Sequence, residues 1–157
     1  MLRRVMAGRR GGGAMSDDIQ LEIASEVKAI APAVDRIVSR IRSGLWLPGK
    51  EQDVEVALFE ALANAVIHGN REEPEKRVAI SCRYEQKPTR RLSIVIRDQG
   101  TGFDPGAVPD PTSPENLASE HGRGILMMKT FMDEVRYEKG GTEVHLVKRC
   151  EGPRSEW

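Results

Sequence analysis

The sequence has few cysteines, no long apolar run and no net charge, and each of these features argues against a class of protein. Its two cysteines among 157 residues, Cys82 and Cys150, lack the close spacing of a metal site or a disulfide framework. Both lie in strand-like stretches, so we expect reduced, packed thiols in a cytoplasmic protein. No run of about 18 apolar residues is present, which argues against a transmembrane helix. No apolar segment follows the N-terminal arginines, so we expect no signal peptide.

The charge balance gives no reason to expect a nucleic acid or an anionic membrane as partner, because 24 basic residues face 24 acidic ones. The basic residues are nevertheless unevenly placed. The first fifteen residues hold Arg3, Arg4, Arg9 and Arg10 with four glycines and no acid. Residues 1–16 are therefore predicted to be a disordered basic extension. A single folded domain is predicted over residues 17–149, followed by a short tail at 150–157.

Three common catalytic signatures are absent. The chain has no G-K-[ST] of a Walker A loop and no glycine spacing that fits a Rossmann fingerprint. It also lacks the G-x-S-x-G of a serine hydrolase. Any nucleotide or acyl chemistry must therefore use another arrangement of residues.

The most informative stretch is residues 54–69, V-E-V-A-L-F-E-A-L-A-N-A-V-I-H-G. Its near-continuous apolar character predicts one buried helix. Glu60 and Asn64 are four residues apart and so share a face of that helix. A buried carboxylate needs a partner, which is either a structural hydrogen bond or a ligand.

The remaining pattern predicts an α+β sandwich with an antiparallel or mixed sheet. Strands are expected at residues 19–24, 77–86, 92–98, 134–138 and 142–148, and the second and third should form an antiparallel hairpin. Ser25 is expected to cap a helix that Gly44 ends, with Pro32 at its start or at a kink. The apolar positions of that helix are Val27, Ile30, Val34, Ile37, Val38 and Ile41. A second, short helix is expected at residues 125–132.

Two glycine-rich turns could contact a ligand. In R-D-Q-G-T-G-F-D, Asp98 ends a strand, and Gly100 and Gly102 allow a tight turn with close approach of the backbone. An aspartate there can accept a hydrogen bond from an exocyclic amine such as that of adenine, although a plain β-turn explains the same residues.

The second turn is H-G-R-G, which contains Gly122, Arg123 and Gly124. A glycine turn that leads into a helix N-terminus near Ile125 would present free N–H groups to a phosphate, with Arg123 and Lys129 adding charge, although an ordinary helix start is the simpler alternative. The roughly twenty residues between the two glycine sites suggest a lid over a bound nucleotide.

With a nucleotide in place, the central pair acquires roles. The amide oxygen of Asn64 can ligate Mg²⁺, which takes other ligands from phosphates and water. Glu60 would lie near the terminal phosphate, where a carboxylate orients or deprotonates an attacking hydroxyl. His68 and His121 could approach phosphates, whereas His145 alternates on a strand and suits packing or the surface.

These residues resemble the motifs of the GHKL ATPases. E-A-L-A-N-A-V-I-H-G is similar to their N box, D-Q-G-T-G-F-D and G-R-G-I-L-M-M to their glycine boxes, and G-G-T-E-V to their late strand segment. The resemblance covers roughly residues 17–149. The short length and the M-K-T-F-M-D-E-V run most resemble the anti-sigma factor serine kinases of bacterial partner-switching systems.

The resemblance implies a Bergerat fold, a two-layer α/β sandwich with a mixed, mostly antiparallel sheet. It implies that Glu60 is the general base, that Asn64 ligates Mg²⁺, and that Asp98 binds adenine. The other implied contacts to ATP come from Gly100, Gly102, Gly122, Arg123, Gly124 and Thr142. It further implies a homodimer that binds a sigma factor and phosphorylates a serine or threonine of a STAS-domain antagonist.

Other functions remain open at this stage. A nucleotide-regulated binding module with little turnover would keep Asn64 and the glycines and leave Glu60 without a chemical role. A two-component histidine kinase domain is disfavoured, because no phosphoacceptor histidine precedes His68. ATPases of the chaperone and mismatch-repair types would need additional domains.

Overall fold

The described part of the chain is one antiparallel sheet with three helices packed on one face. The computed structural model describes residues 3–4, 17–103 and 120–150. The strands are β1 (Arg3–Arg4), β2 (Asp17–Ala24), β3 (Arg77–Glu85), β4 (Arg90–Arg97), β5 (Glu134–Glu138) and β6 (Glu143–Cys150). The helices are α1 (Ile30–Ser43), α2 (Glu51–Ala63) and α3 (Glu120–Phe131). The spatial order is β1-β2-β3-β4-β6-β5. The predicted α+β sandwich is confirmed, and every pairing between described strands is antiparallel rather than mixed.

The core lies between the sheet and the helices, and strict alternation produces it. In β3, Val78, Ile80, Cys82 and Tyr84 are buried while the residues between them are exposed. Such alternation places every second side chain on one face of a strand. The predicted hairpin of β3 and β4 is confirmed by their antiparallel register. Both cysteines are buried thiols outside any disulfide, and burial raises the pKa of the Cys82 thiol to about 12.

Helix α1 confirms most of its predicted apolar face. Its buried residues are Ile30, Ala33, Val34, Ile37, Val38 and Ile41. Pro32 lies in the first turn, where its missing N–H has no intrahelical partner to lose. The prediction was wrong for Val27, which lies in a 3₁₀ turn (Val27–Ala29) and is 50% exposed. It was also wrong for Ser25, which makes no cap because its hydroxyl donates to Lys76 O at 2.9 Å.

The end of α1 depends on a close contact rather than on an unusual glycine conformation. Gly44 has φ −84°, and the following Leu45 takes the left-handed conformation with φ 51°. The N–H of Trp46 bonds Ile41 O at 3.1 Å, which completes a Schellman motif. A Cβ at position 44 would lie 2.6 Å from Trp46 Cδ1. Gly44 is therefore needed because the buried indole occupies the space of a side chain.

Helix α2 begins at Glu51, three residues before its predicted start, and it changes character at Asn64. Residues Asn64–Gly69 form a π-helical turn, in which Asn70 N–H bonds Ala65 O at 2.8 Å. The prediction of one regular helix was wrong in this respect. The helix is also buried on one side only, since Phe59 is 44% and Ile67 37% exposed. π-Helical turns occur frequently at functional sites.

The two ends of the predicted domain also need correction. Arg3 and Arg4 pair with Leu21 and Glu22 of β2, inside the segment predicted to be disordered. The free edge of β2 explains this pairing, because an edge strand offers unpaired backbone groups to another segment. Strand β6 extends to the buried Cys150, one residue into the predicted tail. Within the described residues, no helix is long and apolar enough to cross a bilayer.

Candidate functional site

Glu60 and Asn64 project from α2 toward α3, where Gly124 faces them. A Cβ built on Gly124 would lie 3.0 Å from Glu60 Oε2 and 3.3 Å from Asn64 Nδ2. These three residues line a cleft together with Arg123 and His68. Glu60 and Asn64 are both half-buried. The carboxylate of Glu60 therefore keeps contact with solvent, and the severe desolvation expected for a fully buried acid does not arise.

The amide of Asn64 has spare hydrogen-bonding capacity. Its Nδ2 and the Tyr137 hydroxyl are both buried, and neither makes a hydrogen bond of good geometry within the described residues. Both side chains line the second cleft of the site, and burial raises the pKa of Tyr137, although the Asn64 side chain lies near enough to lower it. An unsatisfied buried polar group costs about 1–3 kcal/mol. A rotated amide presents oxygen instead of nitrogen at nearly the same shape, so the residue fits a hard cation such as Mg²⁺.

Asp98 immediately follows β4 and lines this second cleft. Its N–H donates to Thr142 O at 2.9 Å, and its Oδ1 accepts the N–H of Gly100 at 2.8 Å. Burial raises the pKa of the carboxyl, while the Gly100 hydrogen bond and the charge of Lys76 lower it, and the net direction is upward. The carboxylate lies directly against the Cα of Gly69, where any side chain would collide with it.

Glycines hold the turn after Asp98 tightly against its neighbours. Gly102 has φ +81°, and its missing side chain makes room for the carbonyl of Gly140. The N–H of Phe103 donates to that same carbonyl at 2.9 Å. The structure thus brings Asp98, Gly102 and Thr142 to one cleft, as the resemblance implied. The hydroxyl of Thr142 donates to Lys139 O at 2.9 Å, so toward a ligand it can only accept.

The second glycine turn differs from its prediction. Helix α3 begins at Glu120, so Gly122, Arg123 and Gly124 lie inside the helix and not in a turn before it. Gly124 packs closely against Glu60 and Asn64, and the exposed Arg123 lines the Glu60 cleft. Lys129 is exposed near the far end of α3 and lines neither cleft, so its predicted contribution to a phosphate site stays a prediction. The predicted lid falls mainly on residues 104–119, which lie outside the described residues.

The two clefts adjoin, since Asn64 and His68 line both. Their volumes are about 230 and 290 Å³. Together they are within the roughly 300–1,000 Å³ typical of small-molecule sites. One cleft therefore carries Asp98 and the other carries Glu60, with Asn64 between them.

Several residues of the site were not singled out from sequence. Neither Gly69, the last residue of the predicted central helix, nor Asn70, which follows it, was assigned a role in the site, yet Gly69 forms a wall beside Asp98. Arg71, in a charged loop, and Tyr137, in β5, line the Asp98 cleft. The H-G that ends the N box and the Asn that follows it were the available signal for the first two. Tyr137 gave none, because alternation alone predicts only that it faces the core.

A second group of possible metal ligands lies on the open sheet face. Glu138, Glu143 and His145 place their ligand atoms within 4.8 Å of one another. Arg97 already bonds Glu143 at 2.7 Å, and Arg136 bonds Glu138 at 2.7 Å. These carboxylates are neutralised by arginines and are better described as an ion network than as a cation site. His145 belongs to this network, on a surface-facing position of β6.

Comparison with known proteins agrees with this geometry. Residues 23–148 match the family model described as a histidine kinase-like ATPase domain. The anti-sigma F factor of Clostridium novyi (strain NT) is 34% identical over 103 residues, which are 62% of this chain and 69% of that protein. The serine-protein kinase RsbW of Bacillus subtilis (strain 168) is 32% identical over 66% of this chain and 67% of its own length. The anti-sigma F factor of Clostridium beijerinckii is 33% identical over 83% and 82%, respectively.

The chain belongs to the histidine kinase-like ATPase family, the GHKL family of the motifs described above. Within that family, the relatives just named show that it is similar to anti-sigma F factors and to a serine-protein kinase.

Proposed function

We propose that this protein is an ATP-dependent serine/threonine kinase that also acts as an anti-sigma factor. The observation that carries the kinase assignment is the position of Glu60, a partly solvated carboxylate in a cleft that adjoins the Asp98 cleft through Asn64. The printed names of the similar proteins support the anti-sigma assignment. We further propose a STAS-domain antagonist as substrate, a sigma factor as binding partner, and a homodimer as the working form.

In this proposal the nucleotide lies across both clefts. Asp98 accepts a hydrogen bond from the exocyclic amine of adenine, beside Gly100, Gly102 and Thr142. The triphosphate extends past Asn64 toward Gly122, Arg123 and Gly124, where the guanidinium of Arg123 supplies positive charge. Asn64 is the residue that would hold Mg²⁺, which when bound offsets the charge on the phosphates.

Glu60 then acts on the protein substrate. Its carboxylate accepts the proton of a serine or threonine hydroxyl, whose oxygen forms a bond to the terminal phosphorus while the bond to the leaving ADP breaks. A positioned general base contributes typically about 10²–10⁴-fold to such a reaction. Glu60 makes no contact with the Asp98 cleft, so its removal should affect transfer much more than nucleotide binding.

The test measures transfer of labelled phosphate from ATP to a STAS-domain protein. Glu60→Gln should reduce the transfer rate by about 10²-fold or more, with the Kd for ATP changed by less than about threefold. Asn64→Ala should instead weaken binding of ATP in the presence of Mg²⁺. Transfer at the wild-type rate by Glu60→Gln would rule out the base assignment. If ATP changes partner binding but no transfer occurs in wild type, the protein is a nucleotide-regulated binding module.

A further inference from the structure

Asn70 is a fully buried polar residue that follows the π-helical turn and uses its whole side chain in hydrogen bonds. It is 0% exposed, as is its neighbour Ser25. Its Nδ2 donates to Ser25 Oγ at 2.7 Å and to Arg77 O at 2.9 Å. Its Oδ1 accepts the backbone N–H of Gln99 at 2.7 Å. A buried amide with both donors and its acceptor engaged specifies one arrangement of everything it touches.

These bonds tie four separate parts of the chain to one point. Ser25 follows β2, Arg77 begins β3, and Gln99 follows β4. Gln99 is fastened a second time, because its Oε1 accepts the N–H of Arg77 at 2.7 Å. The Ser25 hydroxyl continues the network to Lys76 O at 2.9 Å. The network therefore joins the end of α2 to three strand ends.

Gln99 is the residue immediately after Asp98, so the network determines the position of the Asp98 carboxylate. On one side, the Asp98 N–H is bonded to Thr142 O at 2.9 Å. On the other side, the next N–H in the chain is bonded to Asn70 Oδ1. With both peptide groups around Asp98 held, and Oδ1 taken by Gly100 N–H, Oδ2 is the oxygen left beside Gly69 for a ligand.

We propose that Asn70 is a positioning residue that sets Asp98 for the exocyclic amine and thereby determines selectivity for adenine nucleotides. The inference rests on the proposed function, in which Asp98 recognises adenine. Asn70 does not contact the nucleotide. It acts through Gln99 N–H, and its loss leaves that N–H unpaired and frees the turn to move. A site built to bond an amine loses its discrimination when the bonding oxygen is displaced.

The experiment compares the Kd of ATP with that of purine riboside triphosphate, which lacks only the 6-amino group. Wild type should bind ATP at least about tenfold more tightly, as expected for a hydrogen bond to a charged acceptor. Asn70→Ala should reduce this preference to less than about threefold, mainly through weaker binding of ATP. Amide hydrogen exchange at Gln99 should accelerate in the same variant.

Ser25→Ala is the matched control, because it removes a hydroxyl from the far end of the network and leaves the Asn70–Gln99 bond in place. It should lower the Tm and keep the preference for ATP. If Asn70→Ala lowers the Tm and also keeps the preference, the residue is merely structural and the inference is wrong. If wild type binds neither nucleotide, the proposed function itself fails.

An exposed residue of the same network offers a second test. Should Asn70→Ala not fold, Gln99→Ala removes the side-chain bond to Arg77 from an exposed residue of the same turn. The inference then predicts a smaller loss of preference in the same direction. If amide hydrogen exchange at position 99 accelerates in Gln99→Ala and the preference for ATP stays unchanged, the hold on this turn does not set the preference and the inference is wrong.

Discussion

Gly124→Ala should separate the stability of this protein from its activity. Gly124 lies in the fifth position of α3 without a positive φ, so alanine can adopt its backbone conformation. Replacing glycine by alanine inside a helix stabilises by roughly 0.5–1 kcal/mol. The new methyl group would lie 3.0 Å from Glu60 Oε2, and Glu60 is a flexible, half-buried side chain that can give way by a few tenths of an ångström.

We therefore expect an unchanged or slightly higher Tm, by up to about 2–4 °C, together with a marked loss of function. Displacement of a catalytic group by about 1 Å can cost roughly 10²-fold in rate. The smaller displacement expected for Glu60 should lower phosphate transfer by about tenfold or more. Thermal unfolding followed by circular dichroism gives the first quantity, and labelled transfer from ATP gives the second.

Thr130→Ala provides the matched control on the same helix. Thr130 is exposed, bonds only Leu126 O at 2.8 Å among the described contacts, and lines neither cleft. Its replacement should raise helix propensity without changing transfer. If Gly124→Ala transfers phosphate at the wild-type rate, the close approach of α3 to Glu60 has no functional meaning. If it instead unfolds the protein, the cleft has no room for the methyl group.

Two further predictions concern stability. Burial alone would raise the pKa of Glu143, but hydrogen bonds from Arg97, His145 and Lys139 and the charge of Arg97 lower it to about 2. A carboxyl with a lowered folded-state pKa stabilises above its unfolded value, and this contribution is lost as the pH falls from about 5 to about 2. Because Arg97 is half exposed, Glu143→Gln should lower the free energy of unfolding by only about 1 kcal/mol at pH 7 and by nothing near pH 2, measured by urea unfolding. A difference from wild type that does not vary with pH would contradict this prediction. Gly44→Ala should lower the free energy of unfolding by about 1–3 kcal/mol, because the new Cβ would overlap Trp46, whose ring is stacked on Tyr84 at a centroid distance of 4.8 Å. A higher Tm in this variant would instead show that the indole moves freely.

The helices and strands that could be predicted from the sequence are those with periodic burial, because the spacing of their apolar residues indicates both the type of element and the face that packs on the core. The apolar spacing of α1 and the alternation of β3 each specify a face, and the structure buries those faces. The grouping of Asp98, Asn64 and Glu60 followed from motifs of the right order. These predictions depend on properties that neighbouring residues carry within a single element.

The errors occurred where contacts between distant segments decide the local structure. Ser25 has the side chain of a helix cap, but Asn70 and Lys76 engage its hydroxyl from across the fold. Gly122 and Gly124 suggested a turn before α3, whereas both lie inside the helix, and at Gly124 the side chains of Glu60 and Asn64 approach it closely. The π-helical turn likewise has no signal in the apolar pattern. Contacts with Asp98 and with the surrounding strand ends determine which residues this turn needs.

The π-helical turn also changes which residues of the long helix share a line. From Glu60 to Asn64 the backbone keeps the four-residue hydrogen-bond spacing of an α-helix, whereas beyond Asn64 that spacing is five residues, as the Asn70–Ala65 bond demonstrates. Both His68 and Gly69 line the Asp98 cleft together with Asn64. Glu60, Asn64 and Gly69 therefore lie one after another along the same helical segment. The length from Glu60 to Gly69 is roughly 13 Å at about 1.5 Å per residue. Deleting one residue between Asn64 and Gly69 would keep the helix but would rotate Gly69, which lies beside Asp98, relative to Glu60.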